Sequence, residues 1–174
     1  MRHPAWRWGI GLAFGIALLM TVVMHNTNPL MLVAKHVTDA LHLRPLHDPL
    51  RRAQGWHDFA KHVQTAREQN QVNLLLADNY AQASMMAFYL PDQPTTFLLP
   101  ANYGDTQFTL WPSYTNPDGT VPPDTRALYV TTSTQLPPKI LLNQFSKVKQ
   151  VDDFWSQYHD RPMTEFHIYL CTQK

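Results

Sequence analysis

Residues 72–99 read VNLLLADNYAQASMMAFYLPDQPTTFLL. Val72 to Ala77 is a short apolar run, the signature of a buried strand. Asp78 or Asn79 supplies a side-chain cap for the helix that follows. In that helix Tyr80, Ala83, Ser84, Ala87 and Phe88 share one face, and Pro91 lies just past its end. Thr95 to Leu99 is a second strand. Strand, helix and strand within 28 residues predict an α/β sheet.

The pattern continues outward in both directions. Upstream, Gly55 to Gln69 places Trp56, Phe59, Val63 and Ala66 on one helical face. Downstream, Ala127 to Thr132 (ALYVTT) is a third strand, and Pro138 opens a helix carrying Ile140, Leu141 and Phe145. Val148 and Val151 mark a short strand. Thr164 to Cys171 alternates, with Phe166, Ile168 and Leu170 opposite His167, Tyr169 and Cys171, which predicts a half-buried strand near an edge. Ser113 to Arg126 is rich in Pro, Asp, Thr and Gly and reads as a long exposed loop. The expected fold is a single mixed, mostly parallel sheet with helices packed on it, with an antiparallel placement left open for the last strand.

A different kind of segment precedes this domain. Gly9 to Met24 (GIGLAFGIALLMTVVM) carries no charge, Trp6 and Trp8 stand before it, and Arg2 and Arg7 lie on its N-terminal side. A membrane-spanning helix needs about 17–25 mostly apolar residues, and basic residues favour the cytoplasmic side. The run predicts a single anchor with its N-terminus in the cytoplasm and the rest of the chain outside. A cleaved secretory signal is the rival, but His25-Asn26-Thr27-Asn28-Pro29 offers no small-residue exit. The third reading, a buried helix of a soluble protein, leaves the basic flank and tryptophans unexplained. The division expected is 1–28 for the basic start and span, 29–47 for a connector and 48–174 for the extracytoplasmic domain. Leu30, Val33, Ala34, Val37, Ala40 and Leu41 give the connector an apolar helical face, suited to a membrane surface or to the soluble domain.

Composition excludes several classes. With 14 Lys and Arg against 13 Asp and Glu, and no basic run, no nucleic-acid partner is indicated. The only cysteine, Cys171, rules out an intramolecular disulfide, and in an alternating strand it reads as a small buried residue. No nucleophile elbow, phosphate loop, dinucleotide fingerprint or H-E-x-x-H helix is present. His57 and His62 are five residues apart and share a helical face poorly, which argues against a metal site there. The adjacent Asp152 and Asp153 point apart and read as a solvated turn. Trp155, Tyr158 and His159 form either core or a sugar-stacking surface.

Three segments together resemble the C-terminal soluble domain of bacterial family-39-type glycosyltransferases, membrane enzymes related to protein O-mannosyltransferases and to the lipid A aminoarabinose transferase. Asp48 to Trp56 (DPLRRAQGW) is similar to the family's "DP…GW" start of the domain. Tyr80 to Pro91 (YAQASMMAFYLP) is similar to "YQLASELAFYLP", and Gln107 to Trp111 (QFTLW) to "QYDLW". Met85 and Thr109 stand where the family pattern often has Glu and Asp, which removes two polar contacts. The resemblance spans about residues 29–174, and the apolar span matches the family's last membrane helix.

The resemblance implies transfer of a sugar from a polyprenyl-phosphate donor outside the cytoplasmic (inner) membrane, by a catalytic carboxylate on early membrane helices that this sequence lacks. It therefore implies no catalytic, cofactor or metal residue in this chain, with a divalent metal left open for the family's enzymes. Structural or ligand-facing roles fall to Asp48, Gly55, Trp56, Tyr80, Ser84, Phe88, Tyr89, Gln107 and Trp111. The partners implied are the membrane, a polytopic glycosyltransferase, and a lipid-linked sugar or envelope glycan. The alternative is a non-enzymatic, membrane-anchored module that binds a glycan, lipid headgroup or protein.

Overall fold

In the computed structural model the described residues are 5–25, 27–44, 48, 50–99, 107–134 and 137–174. The chain forms two compact units, Met1–Arg52 and Ala53–Lys174.

The first unit holds helices α1 (Ala5–His25) and α2 (Asn28–Ala40). Within α1, Trp6–His25 is long and apolar enough to cross a membrane, and none of it is buried. Pro29 sits at the start of α2, where its missing N–H costs nothing. The hydroxyl of Thr27, just before α2, donates to Asp48 Oδ2 at 2.8 Å. Leu30, Val33, Val37 and Leu41 of this segment are exposed.

The second unit is one five-stranded sheet with strand order β2-β1-β3-β5-β4. Its elements run α3 (Trp56–Asn70), β1 (Leu74–Ala77), α4 (Tyr80–Tyr89), β2 (Thr96–Leu98), β3 (Arg126–Thr131), α5 (Lys139–Gln144), β4 (Lys147–Tyr158) and β5 (Arg161–Thr172). Strand β1 pairs in parallel with β2 and β3. Strand β5 pairs antiparallel with both β3 and β4. The expected mostly parallel sheet is therefore corrected: the sheet is mixed, and its longest ladders are antiparallel.

The cause is a hairpin. Instead of a short strand near Val148 and Val151, β4 runs 12 residues and folds back onto β5. The turn is His159-Asp160, both at positive φ (49° and 59°), the backbone of a tight two-residue hairpin loop. Strand β5 lies one strand inside the sheet, with residues of both faces buried rather than one.

Both faces of the sheet are covered. On one, Phe59, Val63 and Ala66 of α3 and Ala83 and Met86 of α4 pack on Leu75, Leu128, Phe166 and Ile168. On the other, Leu141 and Phe145 of the α5 segment join Leu76, Tyr129, Tyr169 and Cys171. Tyr114 and Val121 also bury on this second face. The loop 113–126 is thus a cover in part, not wholly exposed as its composition suggests.

Candidate functional site

The segments that carry the resemblance converge on α3, α4 and the turn before β3. Gly55 precedes α3 with φ +83°, a conformation that L-residues resist. A Cβ there would lie 2.9 Å from Ser156 Oγ and 3.3 Å from Met163, so glycine allows α3 to approach the β4–β5 hairpin. Trp56 is half-buried, edge-on to Phe59 at 5.4 Å and tilted against Phe166 at 6.0 Å. His57 meets Tyr89 at 4.7 Å, joining the first segment to the second, and Tyr89 meets Phe88 at 4.9 Å.

Asn79 caps α4, its side chain accepting from Gln82 N at 3.1 Å. The buried face of α4 is Gln82, Ala83 and Met86. Tyr80, Ser84 and Phe88, expected to share one face with Ala83, are exposed, while Ala83 is buried. Gln82 takes the inward place because its carboxamide is used: Oε1 accepts from Asp78 N at 3.3 Å, and Nε2 donates to Thr132 Oγ1 at 3.4 Å.

Gln107 is exposed at the start of a short 3-10 turn, Gln107–Leu110. Trp111 follows, partly exposed and edge-on to Phe108 at 4.7 Å, while Phe108 packs against the core that α3 and α4 share. Trp111 and Pro112 line a groove of about 620 Å³ with Ala87 of α4, Pro94, and Thr96 and Phe97 of β2. The third segment thus meets the second. Among the described residues of this unit six large apolar side chains are exposed, and four of them, Tyr80, Phe88, Leu110 and Trp111, belong to α4 or to the turn beside the groove. Such a concentration of apolar surface marks a binding face more often than chance exposure does. Asp48 belongs to the first unit, where its carboxylate accepts from Thr27 Oγ1 and from Leu50 N, both at 2.8 Å.

The sequence reading missed a second constellation, a polar row across the sheet. Helix α4 follows β1 onto one face and α5 follows β3 onto the other, so the carboxyl ends of β1 and β3 form a topological switch point. There Asp78 accepts from Thr131 Oγ1 at 3.0 Å and from Tyr129 OH at 3.3 Å. Thr131 pairs with His167, and His167 with Asp153. His167 Nδ1 is 3.2 Å from Asp153 Oδ1. Asp153, Glu165 and His167 hold ligand-type atoms within 4.8 Å of one another. Their juxtaposition comes from strand register, which the sequence spacing does not display.

The other sequence candidates separate. His62 stacks on Phe154 at 4.0 Å and lies 3.5 Å from Asp152, while His57 turns to Tyr89. Asp152 and Asp153 do point apart, toward His62 and His167. Cys171 is buried and free, and burial pushes its thiol up to about 12. Trp155 is exposed on β4, which is an edge strand.

Compared with protein-family models, curated proteins and solved structures, the chain matches none.

Proposed function

We propose that this chain is the membrane-anchored, extracytoplasmic C-terminal portion or subunit of a glycosyltransferase that uses a polyprenyl-phosphate-linked sugar. In this reading α1 crosses the cytoplasmic membrane with its N-terminus inside, and the α/β unit stands on the outer side. The chain supplies no catalytic carboxylate. Its α4 face and groove cover a polytopic partner, which brings the membrane helices and the chemistry.

One observation carries the reading. Trp56, Tyr89 and Phe108, one from each of the three segments separated in sequence, pack against one shared core cluster, and Ala87 and Trp111 line one groove. Tyr80, Phe88, Leu110 and Trp111 of the second and third segments are exposed. Aromatic anchors of this type dominate protein interfaces, and they also suit contact with sugars and lipid headgroups.

Photo-cross-linking in native membranes tests the reading. A photoreactive residue at position 88 or 111 is expected to capture a multi-span protein, and one at position 155 on the far edge strand is not. Capture of no multi-span protein, or equal capture from all three positions, contradicts the proposal. The groove also favours the alternative of a self-sufficient binding module; ligand binding to the protein without any partner would establish that alternative.

A further inference from the structure

The β4–β5 hairpin brings together three side chains that the proposed function does not use. Asp153 lies directly across the ladder from His167, and Glu165 is two residues along β5, on the same face as His167. One donor atom from each lies within 4.8 Å of the others. His167 is buried, Glu165 is half-buried and Asp153 is exposed, so the cluster opens to solvent on one side.

An ordinary Asp–His pair accounts for only part of this. The Asp153 contact engages His167 Nδ1, the ring nitrogen that faces the cluster. A second carboxylate, Glu165, also converges on the one ring, and two like charges this close repel unless a cation lies between them. The 3.2 Å separation of Oδ1 and Nδ1 suits such a cation. Two ligands bonded at about 2.0–2.1 Å to a tetrahedral ion stand roughly 3.3 Å apart.

We propose that Asp153, Glu165 and His167 bind one divalent first-row transition ion of the zinc type. Two carboxylate oxygens and an imidazole nitrogen favour such an ion over calcium or magnesium, which take all-oxygen sites. Three protein ligands leave a fourth position, on the open side, for water or an anionic group. The paired strands hold the ligands on a rigid support. The proposal is independent of the glycosyltransferase reading.

The test is zinc titration of the full chain in detergent after chelator treatment, followed by calorimetry and by cobalt absorption. One equivalent is expected to bind, with a raised unfolding temperature and a cobalt spectrum of four-coordinate type. Glu165→Gln and Asp153→Asn should each weaken binding by about tenfold or more, in the range that even indirect contacts to a metal command. Asp152→Asn, one residue away and facing His62, should leave it unchanged. His167→Ala is a poorer test because the ring is buried. No saturable zinc binding, or binding equally tight in Glu165→Gln and Asp153→Asn, overturns the proposal.

Discussion

Replacing Gly55 with alanine tests whether the "GW" at the start of the domain is there for architecture. Gly55 has φ +83°, and a left-handed backbone costs an L-residue about 1–2 kcal/mol. The new methyl would also lie 2.9 Å from Ser156 Oγ and 3.3 Å from Cβ and Cγ of Met163. Ser156 is held in place, its hydroxyl accepting from Thr164 N at 3.3 Å, so the crowding adds about 1–3 kcal/mol. The combined loss is about 2–5 kcal/mol. At roughly 4 °C per kcal/mol for a domain of this size, the unfolding midpoint should fall by about 8–20 °C. Gly119 provides the control: its φ is +81°, but nothing stands within 4 Å of an added Cβ. Gly119→Ala should lose only the conformational part, about 1–2 kcal/mol. Near-UV circular dichroism melts of the full chain in detergent measure both. If Gly55→Ala melts with Gly119→Ala, the close approach of α3 to the hairpin carries no energy and the reasoning fails.

Three further outcomes are expected. Thr96 is fully buried and its hydroxyl donates to Ala83 O at 2.8 Å, so Thr96→Val should destabilise by about 1 kcal/mol in chemical denaturation. Burial raises the Cys171 thiol from 9.0 and the Tyr114 phenol from 10.0, each to about 12. The unfolded chain therefore loses these protons first, so stability is retained below about pH 9 and falls as pH rises toward about 12, by up to ~1.4 kcal/mol per unit for each group. Cys171→Ala should delay the onset of that fall to about pH 10, as denaturant midpoints across pH would show. Trp111→Ala, at a partly exposed position, should change stability by about 1 kcal/mol or less yet weaken partner capture by roughly thirtyfold, the effect of losing an interface anchor of about 2 kcal/mol.

The β1–α4–β2 unit was legible because each boundary has a local chemical cause. Leu74 to Ala77 is uniformly apolar, Asn79 caps, and Pro91 stops the helix. The face of α4 was not legible. Tyr80 to Tyr89 contains no charged residue to mark the outside, and a polar residue, Gln82, is drawn inward by Asp78 and Thr132. Strand β4 was hidden by Lys147, Lys149, Asp152 and Asp153 on an edge, and by irregularities after Gln150 and Trp155 that break the two-residue period. Its turn carries His159-Asp160 rather than the glycine that announces a hairpin. Missing that hairpin led to the expectation of a mostly parallel sheet. It also concealed the meeting of Asp153, Glu165 and His167, which only the register of β4 with β5 reveals. In the first segment, Gly55 was legible as a special residue, while its steric role depends on Ser156 and Met163, about a hundred positions away.

The most direct test of the proposed function is sugar transfer from a polyprenyl-phosphate donor, measured on the chain gently extracted from its own membrane with its associated proteins and on the chain purified alone. The account predicts transfer by an extracted complex containing a multi-span protein, and none by the chain alone. Turnover by the isolated chain, or a chain that extracts as a lone monomer or homodimer without transfer, would contradict it.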